Sequence, residues 1–290
     1  MIGKYKRVTY NKIYMYLKYL RVTVPYYMPI AVLGLFLGAV LTIKAIPDFR
    51  ILYAAISLCF LVGGFNTLNG VYDCKIDKIN KPERPIASGR MSQKEGLIYS
   101  IILYAISFIL SIPVSVHFII IVLLSIIITS SYSLPSIFLR GRYIINTLTG
   151  LVFYGLLCPL AGWALYPSFP VPLPLILFIF IFWSGIAITK DFQDIYGDRV
   201  FRIKTAPTVM GIPKALGLIA FLIIFSFIYM GVIYLAGFVD IKYLSVFIFI
   251  PWAIYTVKGL DSKNNNKVYF MKNMLLAVSV ELLIIIVTLI

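Results

Sequence analysis

Apolar runs close to the length of a bilayer span follow one another along almost the whole chain, and no other feature limits the fold so tightly. A helix needs ~20 residues to cross the hydrocarbon layer. Runs of this kind lie near residues 24–46, 51–72, 97–115, 117–132, 144–164, 171–190, 213–237, 242–257 and 274–290. Lipid offers no partners to backbone amides, so each run reads as a helix. The expectation is an all-α membrane protein, a bundle of about nine transmembrane helices. Of the 290 residues, 61% are hydrophobic and only 13% charged, with a mean hydropathy of +0.96. A water-soluble protein of that size needs far more polar surface to cover its core.

The basic residues give the nine-span reading a second, independent support. Of 26 Lys and Arg, all but Lys44, Arg50 and Lys242 fall in the N-terminal segment or in connections that a nine-span chain places on one side. Positive loops stay cytoplasmic, so the N-terminus is expected inside and the C-terminus outside the cell membrane. Adding or losing a span scrambles this asymmetry. The formal net charge of +15 therefore reads as topology and contact with anionic headgroups, not as nucleic-acid binding. Residues 1–22 interleave Lys and Arg with Tyr and read as an interfacial segment on the inner leaflet. Together with this segment the whole chain, 1–290, reads as one polytopic domain, without a soluble module. Cys59, Cys74 and Cys158 are scattered, with neither metal nor disulfide spacing.

Against this background the carboxylates stand out. Five of the eleven acidic residues form two clusters, Asn69-x₃-Asp73-x₃-Asp77 and Asp191-x₂-Asp194-x₃-Asp198. Residues three, four or seven apart share one face of a helix, so each cluster presents an oxygen stripe. Both follow spans that run in the same direction, the second and the sixth, so both stripes are expected at the cytoplasmic end. Each leads into a polar stretch with basic residues and Pro, about 74–96 and 191–212. At a helix C-terminus such charges oppose the macrodipole, which suggests that a cation neutralises them. Facing oxygen stripes suit hard divalent ions and the phosphates they carry. Two other polar residues carry less. His117, the only histidine, falls on the outer side in the hairpin between the third and fourth spans. Glu281 sits inside the last span, where a carboxylate needs protonation, a partner or a cavity.

These residues resemble the UbiA superfamily of intramembrane prenyltransferases. Asn69-Gly-Val-Tyr-Asp73-Cys-Lys-Ile-Asp77, with Asn80-Lys-Pro-Glu-Arg-Pro-Ile-Ala-Ser-Gly-Arg90, is similar to its first signature. Lys190-Asp-Phe-Gln-Asp194-Ile-Tyr-Gly-Asp198-Arg, followed by Lys204-Thr-Ala-Pro, is similar to its second. Between them, Tyr132-Ser-Leu-Pro135 with Arg140, Asn146 and Gly150 resembles a third element. The chain departs from the family near its start, where Arg21-Val-Thr-Val-Pro25 separates an Arg and a Pro that are often adjacent.

The resemblance implies a nine-helix bundle around a central cavity open to the cytoplasmic side. It implies an enzyme that moves a polyprenyl group, geranylgeranyl here, from its diphosphate to a lipophilic acceptor. By resemblance, Mg²⁺ is shared by Asp73, Asp77, Asp194 and Asp198, with Asp191 a further metal ligand and Asn69 in support. The diphosphate falls to Arg84, Arg90, Arg140, Lys190 and Lys204, each of which is equally explained as a topology determinant. Tyr132 serves either the diphosphate or the headgroup belt. Two acceptors are in view: geranylgeranylglyceryl phosphate, giving an ether lipid, and a phenolic ring of the quinone, tocopherol or chlorophyll type. From another class, a transporter coupled through its carboxylates remains, although such sites usually lie near the midplane of the bilayer.

Overall fold

The computed structural model describes residues 17–135, 137, 139, 145–260 and 266–290. Among the described residues there is no strand. The spans are α1 (Met28–Ile43), entered through a 3-10 turn at Pro25–Tyr27, α2 (Arg50–Tyr72), α4 (Gln93–Ser111) and α5 (Val116–Ser133). A short α3 (Cys74–Asn80) follows α2. The fifth span, α6, is a broken rod: Ile145–Leu151, a π-helical segment Val152–Leu157, then Cys158–Trp163. Next come α7 (Leu173–Thr189), α8 (Asp191–Val200), the one-turn α9 (Ala206–Met210) and α10 (Ile212–Leu235). A 3-10 stretch Ile241–Phe249 runs into α11 (Ile250–Gly259), and α12 (Asn266–Leu289) ends the chain.

Among the described residues, eight helices are long and apolar enough to cross a membrane, and nine if the bent pair α7–α8 is one span. The nine agree one for one with the apolar runs. The last begins earlier than hydropathy indicates, at Asn266 instead of 274, because its first turns are polar. Caps mark where helices begin. Ser92 Oγ accepts the Glu95 amide at α4, and Ser115 Oγ accepts the Phe118 amide at α5. Pro159, Pro213 and Pro251 all sit in first turns, where a missing N–H costs nothing.

The surface is apolar and the interior partly polar, as expected in lipid. Leu52, Ile101, Ile127, Phe221 and Ile286 point outward and are exposed. Between helices, Ser57 donates to the Ser107 carbonyl (2.8 Å), Tyr104 meets Thr129 (3.0 Å) and Thr256 donates to Asn273 (2.9 Å). Such bonds, together with close packing, join helices where no hydrophobic drive exists. One very close approach is between α1 and the far half of α6. A Cβ at Gly38 runs into the Pro159 backbone, and one at Gly162 runs into the α1 backbone at Leu35 and Ala39. Only glycine permits that seam.

The acidic clusters sit differently from expectation. Neither stripe continues its parent span as one straight helix. Asp73 occupies a break between α2 and α3, with φ −86° and ψ 5°, and Asp77 lies in the first turn of α3. The second break follows Thr189, whose hydroxyl bonds back to the Ile186 carbonyl (2.6 Å), a contact that bends helices. There α8 turns by 49° from α7, and Asp191 and Asp194 fall in its first turn. Carboxylates are favoured at helix N-termini. The inference that a helix C-terminus makes these charges unfavourable is therefore overturned for Asp77, Asp191 and Asp194.

Candidate active site

One cavity between the helices collects both clusters. Asn69, Asp73 and Asp77 line it from the α2–α3 side, and Asp191 and Asp194 from α8. Lys81, Arg84, Lys190 and Tyr132 line it as well. The remaining wall is largely apolar and aromatic: Tyr27, Phe65, Tyr154, Trp183, Ile186, Phe270 and Met274. All five aspartates are buried. Two regions more than a hundred residues apart in sequence thus share one space, charged at one end and greasy along its walls.

The carboxylates are tied to named partners. Asn69 Nδ2 donates to Asp73 (2.5 Å). Arg84 Nη1 lies 2.8 Å from Asp77 Oδ2, and Lys81 Nζ reaches both oxygens of Asp194, at 2.6 and 2.7 Å. Burial works against the Arg84 charge. The neighbouring Asp77, through charge and hydrogen bond, and Asp194 beyond it more than offset that, so the guanidinium is held even more firmly protonated than usual. Tyr132 is fully engaged: its hydroxyl donates to Asn146 Oδ1 (2.8 Å) while Lys190 Nζ stands 5.6 Å over its ring. That geometry makes Tyr132 a seat for the Lys190 cation.

Asn80 clamps the two clusters together. Its Oδ1 accepts the Gly197 amide (2.9 Å) and its Nδ2 donates to the Asp194 carbonyl (3.2 Å). Gly197 is required here, because a Cβ would stand 2.5 Å from the Asn80 amide. Gly197→Ala is expected to push the amide away, break both bonds and cut turnover about tenfold, a loss of about 1.4 kcal/mol. In a double-mutant cycle, Asn80→Ala with Gly197→Ala should be no worse than Asn80→Ala alone. Additive losses in that cycle disprove the clamp.

Not every candidate reaches the cavity. Asp198 is buried but does not line it. Arg90 is exposed and bonds to Ser88 Oγ (2.8 Å) and the Glu83 carbonyl, folding its own loop. Lys204 is exposed and away from the lining. Arg140 lies outside the described residues. His117 packs edge-on against Trp163 (5.6 Å), remote from the cavity. Lys81 and Asn80 were missed as functional residues, although Lys81 stands four after Asp77 within the quoted motif.

A second, more open depression adjoins the cavity and shares Lys81, Arg84 and Phe270 with it. Arg21 and Lys267 join its lining, against a single acid, Glu83. Four cations at the mouth make it suited to an anionic group.

Among the described residues, no three His, Cys, Asp or Glu side chains stand close enough to chelate an ion alone. The donor set still fits Mg²⁺, which binds through one or two carboxylates plus substrate phosphates and water, not through an all-protein cage.

Known proteins resemble this chain in sequence and in fold. The model of the UbiA prenyltransferase family matches residues 28–277. Digeranylgeranylglyceryl phosphate synthase of Methanococcus maripaludis is 37% identical over 194 residues, 66% of each chain. That of Methanobrevibacter smithii is 31% identical over 275 residues, covering 89% of this chain and 94% of its own. A UbiA homologue from Archaeoglobus fulgidus, solved with GPP and Mg²⁺, superposes with a TM-score of 0.73 at 18% identity, over 92% of this chain and 99% of that one. A solved digeranylgeranylglyceryl phosphate synthase gives 0.64 at 26% identity, over 95% and 99% of the two chains. Fold, paired acidic motifs and relatives agree, and the chain belongs to the UbiA prenyltransferase family.

Proposed function

We propose that this intramembrane prenyltransferase moves a geranylgeranyl group from its diphosphate to geranylgeranylglyceryl phosphate, in an Mg²⁺-dependent reaction at the cytoplasmic face. The observation that carries the reading is the single cavity, in which four buried carboxylates and three cations face an apolar wall. Family membership sets the transporter reading aside.

Asp73 and Asp77 on one side and Asp191 and Asp194 on the other are the residues to hold Mg²⁺, with Asp198 behind them. Bound there, Mg²⁺ would supply charge neutralisation at the donor diphosphate. Lys81, Arg84 and Lys190 bring three cations from separate segments to that group. As the C1–O bond breaks, the electron pair leaves with the diphosphate, and these cations stabilise the growing charge. The acceptor oxygen then bonds to C1, and its proton passes to the released diphosphate. Phe65, Tyr154 and Trp183 exclude water from the allylic chain and offer ring faces to its developing positive charge.

The choice of acceptor rests on the basic mouth. Arg21, Lys81, Arg84 and Lys267 suit a phosphate-bearing headgroup, whose charge and three oxygens engage several cations where an aromatic acceptor brings at most a single carboxylate. The relatives named above are, by name, synthases of a phosphate-bearing lipid. We place the basic loops in the cytoplasm, with the N-terminus inside and the C-terminus outside. The chain, 1–290, acts as one catalytic domain, with the segments 74–96 and 191–212 forming the active-site rim; of the interfacial segment expected at 1–22, residues 1–16 lie outside the described residues.

Purified protein with geranylgeranyl diphosphate and Mg²⁺ is expected to yield an ether product from geranylgeranylglyceryl phosphate. The same acceptor stripped of its phosphate should be used about a hundredfold less efficiently, as when charge-assisted hydrogen bonds are lost. Product from homogentisate instead, or equal use of the dephosphorylated lipid, rejects this acceptor.

A further inference from the structure

Among the described residues, Glu281 is the one buried carboxylate outside the two acidic clusters. It lies in α12, inside the bundle, and is 1% exposed. A carboxylate at that depth is costly and marks a site with a task. Its Oε1 accepts the Trp183 Nε1–H at 2.6 Å, while its Oε2 is buried without a hydrogen-bond partner. The indole it holds lines the cavity. On its other side Trp183 stacks on Tyr154, at 5.6 Å and 22°. Tyr154 belongs to the π-helical segment of α6 and stacks in turn on Tyr27, at 6.1 Å and 29°. Both tyrosines line the same cavity. Segments of this kind often accompany functional sites, because the extra residue per turn redirects a side chain.

The register of α7 places Trp183 relative to the chemistry. Seven residues separate it from Lys190, about 10 Å along a helix axis. Lys190 and the aspartates hold the diphosphate end, so the indole meets the hydrocarbon about two turns deeper. A side chain as large as Trp has many alternative rotamers in an open cavity. Anchored at Nε1 and sandwiched against Tyr154, it keeps one.

We propose that Glu281 is a positioning residue that fixes the Trp183 indole as a gauge of the prenyl pocket, and so sets which donor chain length is used. This deepens the donor assignment made above and rests on it. An acceptor is needed because the indole N–H has to be held against competing rotamers, and a buried N–H left without a partner is costly. Glu281 touches no substrate in this reading. Its influence passes through Trp183.

The test is the donor profile of the purified full chain with the C5, C10, C15 and C20 allylic diphosphates and a fixed acceptor. Glu281→Leu and Trp183→Phe are expected to change the ratio of kcat/KM between the preferred donor and the next shorter one by about tenfold or more, the scale on which apolar pockets discriminate. Glu281→Gln keeps an acceptor oxygen and should hold the ratio within about threefold. Inhibition by inorganic pyrophosphate, which reads the charged end alone, should stay unchanged in all three. A wild-type ratio in Glu281→Leu, whatever its melting temperature, overturns the proposal. If that variant does not fold, a wild-type ratio in Trp183→Phe overturns it equally. Wild-type protein that uses none of the four donors sinks the donor assignment and this inference together. Normal turnover with an unmoved profile sinks only the latter.

Discussion

Asp73→Asn and Asp194→Asn are each expected to lower turnover by about a thousandfold or more, the scale on which removing a preorganised charge at a phosphate centre acts. The proteins should still fold. Asn at 73 retains an oxygen for the Asn69 amide, and Asn at 194 retains one for Lys81. Nothing is removed in volume, so the melting temperature in detergent should move little. The charge, however, is what the cavity offers a metal. Raising Mg²⁺ should restore part of the activity at either position if the variants fail through weakened ion binding. Near-normal kcat in both variants removes these carboxylates from the mechanism.

The second large effect is expected at Arg84. Its guanidinium lies 2.8 Å from Asp77, whose side chain is only 4% exposed. Arg84→Ala leaves that carboxylate buried without its cation and takes a phosphate ligand from both the cavity and its mouth. Breaking such a pair costs about 3 kcal/mol, reduced here because Arg84 is partly exposed. Donor KM should rise about a hundredfold, equivalent to about 2.7 kcal/mol, with a fall in melting temperature. Arg84→Lys restores a positive charge beside Asp77 but not the planar fork, so stability should recover more than KM does. A KM unchanged by either substitution refutes the role in donor binding.

Much of this was legible from the chain. Span number follows from run length and the placement of basic residues, because the bilayer imposes both. The acidic clusters could be found because carboxylates are so rare elsewhere. Other features hide for physical reasons. The breaks at Asp73 and Lys190 arise from local backbone choices within continuous helical periodicity, and hydropathy is blind to them. The true start of α12 hides behind Asn266, Lys267, Lys272 and Asn273, polar residues that continue a helix without looking like a span. The Lys81–Asp194 pair joins residues 113 apart, and no periodicity reports a partner at that distance. Arg90 and Lys204 share the motif's composition with Arg84 and Lys190, yet face water. Sequence shows which residues are cationic, and only the fold shows which of them turn inward.

The glycine seam between α1 and α6 has a further bearing on how substrates arrive. Backbones pressed together at Gly38, Pro159 and Gly162 leave no gap for an acyl tail, and nothing there can part without tearing two rods from direct contact. That flank is a sealed wall, so long-chain molecules diffusing in the leaflet have to be admitted through some other gap in the ring.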